Sequence, residues 1–145
     1  MTDLAKEFDN HFWSARGYLA VPTNKKSSNG KVKFDYRAIP GDIVKKHWED
    51  HFNTENGLTP SPIFKSNKCY WGALDIDVYN LDDKRKYEIC NKCKDLYLIP
   101  TRSKSGGLQL YAFASDEVPT RLMKSRLIHA RNSLELDPKT EIFPK

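Results

Sequence analysis

The sequence is poor in cysteine. Three thiols (Cys69, Cys90, Cys93) among 145 residues are too few for a disulfide framework, and their odd number points to reduced side chains. No apolar run approaches the roughly 20 residues that a membrane span needs, so no membrane partner is expected. Residues Met1 to Asn10 lack the basic-then-apolar order of a secretory leader, which predicts a cytoplasmic protein. Low-complexity tracts, internal repeats and linker-like stretches are missing too. At this length a single domain, 1–145, with a real hydrophobic core is expected. There is no convincing Ser-His-Asp or Cys-His arrangement, so chemistry through a side-chain nucleophile is not expected.

Charge, by contrast, is plentiful. The net charge is +5 and the isoelectric point is near 9.0, a balance suited to a polyanionic partner. Lys25, Lys26, Lys31, Lys33, Arg102 and Lys104 all fall near predicted turns or strand ends. Helical spacing of Leu4, Phe8, Phe12 and Trp13 predicts a helix over 3–16, closed by Gly17. Short strands at 18–21 and 31–36 flank a polar turn whose Asn29-Gly30 pair favours a hairpin. Asp42 is placed to cap a helix running to about Phe52. Beyond it the order is a strand at 60–64, a strand at 70–79, a helix opened by Asp82 or Asp83 and ending at Lys94, and a strand at 96–99. A strand at 108–114, a long helix from about 118 to 134 and a last strand at 141–143 complete the chain. This alternation predicts an α/β fold, a mixed sheet with flanking helices.

The stretch Trp71-Gly72-Ala73-Leu74-Asp75-Ile76-Asp77-Val78-Tyr79 stands out. Alternation along a strand would send Leu74, Ile76 and Val78 to one face and Asp75 and Asp77 to the other. Two carboxylates held close repel each other, and a divalent cation is the usual remedy. Glu141, opening the apolar strand Glu141-Ile142-Phe143, is placed to add a third carboxylate. Thr101-Arg102-Ser103-Lys104-Ser105-Gly106-Gly107 reads as a phosphate cradle. Gly106 and Gly107 would let backbone amides approach a ligand, Ser105 adds a hydroxyl, and Arg102 and Lys104 add positive charge. In the strand that follows, Gln109, Tyr111 and Phe113 are expected on one face and Leu108, Leu110 and Ala112 on the other.

Together, Ala73-Leu74-Asp75-Ile76-Asp77, Ser105-Gly106-Gly107-Leu108-Gln109-Leu110-Tyr111 and Glu141-Ile142-Phe143-Pro144-Lys145 resemble the archaeo-eukaryotic primase superfamily. The nearest branch is that of the primase-polymerases of phages and mobile elements. Arg16-Gly17-Tyr18 to Pro22, and His47-Trp48 with His51, are looser matches. The resemblance implies an RRM-like primase-polymerase catalytic core performing template-directed nucleotidyl transfer in DNA replication. It implies Mg2+ or Mn2+ held by Asp75, Asp77 and Glu141, nucleoside triphosphates as substrates and a single-stranded DNA template. Ser105 becomes a phosphate contact. Gln109 stands where the family has a phosphate-contacting histidine; glutamine can donate a hydrogen bond there but carries no charge. The family also implies a longer parent chain with a helicase segment, of which this would be an N-terminal piece. Two other readings suit the same residues: a metal-dependent nuclease, and a nucleic-acid-binding module without catalysis.

Other features read as ordinary structure. Cys90 and Cys93 on a helix are expected to face the core rather than bind zinc, which wants four ligands. His47 and His51, one helical turn apart, are expected to pack. Trp13, Trp48 and Trp71 are expected core anchors. Lys84-Arg85-Lys86 is expected to be a solvated helix face.

Overall fold

The computed structural model describes residues 3–78, 81–103 and 106–145, the Lys65 side chain excepted. Its contacts gather into two compact units, residues 1–66 and 67–145. The α/β class is as expected. In place of one mixed sheet, however, there are two sheets, and every strand pairing in both is antiparallel.

In the first unit, Asp3 caps α1 (Leu4–His11) by accepting from the Lys6 amide. The helix stops five residues before the predicted end, and Gly17 opens a strand instead of closing the helix. Strands β1 (Gly17–Lys26) and β2 (Val32–Ala38) form the expected hairpin, with Gly30 at φ 77° in its turn. Helix α2 (Lys45–Asn53) starts later than Asp42 would place it. Its first turn is held by the Val44 amide donating to His47 Nδ1 at 3.0 Å. Strand β3 (Gly57–Pro60) then pairs with the far side of β1, giving the order β2-β1-β3. Ala5, Ile39, Ile43 and Trp48 form a small core, with Phe8, Phe12, Leu19 and Leu58 packed on it. Trp13 departs from expectation: it is 44% exposed, with its ring 4.9 Å from that of Phe64.

The second unit runs β4 (Lys68–Ile76), α3 (Asp83–Cys93), β5 (Ile99–Arg102), β6 (Leu108–Pro119), α4 (Thr120–Ser133) and β7 (Glu141–Phe143). Its sheet order is β5-β6-β4-β7. The alternation of β6 is as read from the sequence. Leu108, Leu110 and Ala112 are buried with Leu74, Ile76, Ile89, Met123, Leu127, Ala130 and Leu134 in a larger core, so both helices cover the same face of the sheet. Cys93 belongs to that core and Cys90 packs on it, and burial, then the neighbouring Cys90, pushes the Cys93 thiol up to about 11. Arg85 does not join a solvated face. Its guanidinium donates to the backbone carbonyls of Leu134 and Glu135, satisfying the orphan end of α4. No helix among the described residues is long and apolar enough to cross a membrane.

Candidate active site

The second face of this sheet carries the predicted acids. Asp75 lies on β4, with Gln109 of β6 as its register partner on one side and Glu141 of β7 on the other. Residues directly opposite in antiparallel strands have Cβ atoms about 4.5–5.5 Å apart, so three chain segments distant in sequence converge on this carboxylate. Asp77 is a partial departure. The strand ends at Ile76, one residue short of it, and Asp77 is held outside the ladder. It still acts on Asp75. Burial pushes the Asp75 carboxyl above its ordinary range, the charges of Asp77 and then Glu141 push it the same way, and a hydrogen bond from the Gln109 side chain opposes them.

Gln109 has a definite job. The Tyr111 hydroxyl donates to Gln109 Oε1 at 2.9 Å. An amide whose oxygen accepts in this way has only its NH2 left to offer Asp75. Tyr111 thereby orients Gln109, and Gln109 orients and partly neutralises Asp75. Burial, then the Asp75 charge, pushes the Tyr111 phenol up. Sequence reasoning put Gln109 on a phosphate; the geometry puts it on the acid. The cross-strand pairing of residues 75 and 109 is what a linear reading lacks.

The glycine turn sits against the end of the acidic strand. A Cβ on Gly107 would come within 2.0 Å of the Ile76 carbonyl oxygen, so only glycine admits this approach. Gly106, at φ 89°, makes the turn itself, and its amide donates to the Ser103 carbonyl at 3.1 Å. That amide is occupied within the turn, while the cradle reading had it facing a ligand. Lys104 and Ser105 lie outside the described residues. Arg102 pairs in register with Leu108, itself opposite Ile76, so strand alternation gives it the helix-covered face and not the face of Asp75.

Glu141 is about half exposed and its Oε1 accepts from Lys145 Nζ at 2.8 Å. Among the described residues, no group of three or more His, Cys, Asp or Glu is arranged to hold a metal ion as it stands. The donor chemistry nevertheless suits a cation. The charges of Asp77 and Glu141 help to raise the proton affinity of Asp75, and Glu141 already holds an ammonium group. Asp75, Asp77 and Glu141 would hold a divalent ion if Lys145 swung off Glu141. His47 and His51 are engaged elsewhere: His47 takes the Val44 amide, and His51 Nδ1 lies 2.9 Å from the Asn56 carbonyl.

No protein-family model matches the chain, and no curated protein sequence matches it.

Proposed function

We propose that the second unit is the catalytic centre of a cation-assisted phosphoryl-transfer protein acting on nucleotides. Within that class, the reading best supported is template-directed nucleotidyl transfer, as in a DNA primase-polymerase using nucleoside triphosphates. The single observation that carries it is Asp75 set between Gln109 and Glu141 on three adjacent strands, with Asp77 beside it and the glycine turn packed against the same strand end. The succession βαββαβ, with its sheet order β5-β6-β4-β7, supports an RRM-like core for the same unit.

A pair of divalent cations on these carboxylates would supply activation of a 3′-hydroxyl and charge neutralisation on the triphosphate. The chain's own residues do the rest. Asp75 is held in one orientation by Gln109, and Tyr111 fixes that amide in turn. Burial beside two like charges keeps Asp75 a strong ligand for any cation that arrives. Glu141, now paired with Lys145, would be the third ligand if the ion displaced that ammonium.

The engagement of Gln109 by Asp75 also favours a second reading, a nucleic-acid-binding module without turnover, because no positive side chain stands at that position. One assay separates the readings. Labelled nucleotides, a single-stranded template and manganese or magnesium are incubated with the protein, with and without a primer. Incorporation is expected, falling by about 10²–10³-fold in Asp75→Ala and persisting in Gln109→His. Synthesis that survives Asp75→Ala would overturn the assignment. Loss of labelled DNA without incorporation would make the protein a nuclease, and neither reaction would leave the binding module.

A further inference from the structure

The first unit's sheet has one face under α1 and α2, through Leu19, Leu58 and Trp48, and a second face on which, among the described residues, large aromatic side chains are exposed. Register places Tyr36 opposite Ala20, Phe34 opposite Pro22 and Tyr18 opposite Ala38, so Tyr18, Phe34 and Tyr36 share that second face. All three are exposed: Tyr36 by 65%, Tyr18 by 50% and Phe34 by 37%. Rings two residues apart on one strand lie about 7 Å from each other. The hairpin that carries them, residues 17–38, has five basic side chains and one acid, Asp35; of these, Lys26, opposite Val32, shares the face of the rings, while Lys33 and Arg37 alternate to the other.

Large exposed rings without partners cost solvation and call for an occupant. A protein occupant fits poorly, since interface centres are depleted in lysine. A strand of nucleic acid fits both features at once: bases stack on rings of any kind, and phosphates take the lysine. Duplex is excluded by the same chemistry, because its bases are already stacked. We propose that this face binds single-stranded DNA, with Tyr36, Tyr18 and Phe34 as the stacking platform and Lys26, at the end of the same face, as a phosphate contact. The choice of DNA over RNA rests on the function proposed above; the platform itself does not.

Fluorescence anisotropy of a labelled oligothymidylate tests it on the full chain. Wild type is expected to bind the single strand at least tenfold more tightly than a duplex of equal length. Tyr36→Leu and Tyr18→Leu should each weaken binding about tenfold, and Tyr36→Trp should restore it, with unchanged far-ultraviolet circular dichroism in all three. Lys26→Ala should flatten the salt dependence of affinity. Asp75→Ala should bind as wild type does or better, so a failure of synthesis and a failure of this surface read out separately. The proposal is overturned if the leucine variants bind like wild type or duplex competes equally. Two further results would also overturn it: oligouridylate binding tenfold tighter than the DNA, or the leucine substitutions dissociating a dimer without altering DNA affinity.

Discussion

The two sheets are built alike and finished differently. Each is antiparallel, each has one face covered by a pair of helices, and each has a second face on which buried small or aromatic residues (Trp71 and Ala73, or Ala20) stand beside polar or exposed ones. On the sheet of residues 67–145 that second face is acidic at one end, and its polar groups hold one another: Tyr111 on Gln109, Gln109 on Asp75, Lys145 on Glu141. On the sheet of residues 1–66 it is aromatic with Lys26 at one end, and Tyr18, Phe34 and Tyr36 are open to solvent. A preorganised cluster of like charges suits a small, highly charged ligand such as a cation with a triphosphate. A loose row of rings with a lysine at its end suits a long, repetitive one. If both proposals hold, one architecture would serve two demands, fixed geometry in one unit and tolerant contact in the other.

The sharpest way to break this comparison is to substitute buried and open faces side by side. Leu110 is fully buried, so Leu110→Ala is expected to cost about 2–5 kcal/mol in chemical denaturation. Tyr36→Ala, on the open face, should stay within about 0.5 kcal/mol of wild type while losing DNA affinity. If Tyr36→Ala destabilised the protein as Leu110→Ala does, the open face would be core and the contrast false. A smaller effect separates orientation from ligation at the acidic end. Gln109→Leu removes the donor from Asp75 and the acceptor from Tyr111 without touching a carboxylate. Turnover is expected to fall about 10–100-fold, as for other groups that orient a metal ligand, with Gln109→His retaining it. Equal activity of Gln109→Leu and wild type would show that Asp75 needs no such support.

Much of this was legible in the sequence where local pattern sufficed. The bounds of β7 fall where the apolar triplet put them, Asp82 caps α3 through the Arg85 amide at 2.9 Å, and Asn29-Gly30 sits in the hairpin turn. Alternation along β6 sorted Gln109 from Leu108 and Leu110 correctly. Long-range pairing was not legible. Nothing local tells β1 to take β3 as its second partner and close a separate sheet, because register is set by tertiary packing. The apolar run Leu96-Tyr97-Leu98-Ile99 looks like a strand by composition. Yet Tyr97 sits at φ 54° in the turn leaving α3, so β5 starts only at Ile99. The face of Arg102 is set by its pairing with Leu108, which no local signal gives. The convergence of Asp75 and Glu141 was anticipated from the family resemblance, whereas the Gln109–Asp75 contact needed the pairing of β4 with β6.

The smallest expected effect bears on what the acids are for. Asp75 holds its proton more tightly in the folded chain than its ordinary value would allow, chiefly through burial and then through Asp77 and Glu141. Folding therefore takes up protons across the carboxylate range. This group's contribution to stability is fully present below the ordinary aspartate value of about 3.9 and is lost as pH rises from there through the raised folded value. Asp75→Asn keeps an acceptor for Gln109 and drops the charge, so its thermal midpoint should exceed that of wild type at pH 7, the gap closing below about pH 4. Asp35→Asn in the other sheet should give no such gain, because Asp35 is paired with Arg37. Adding manganese at pH 7 should then reverse the order, raising the wild-type midpoint past that of Asp75→Asn, since a bound cation turns mutual repulsion into shared attraction. A gap that persists in acid would remove the electrostatic account. A gap unchanged by manganese would leave the three carboxylates as strain without a ligand, and the resemblance between the two second faces would end at their architecture.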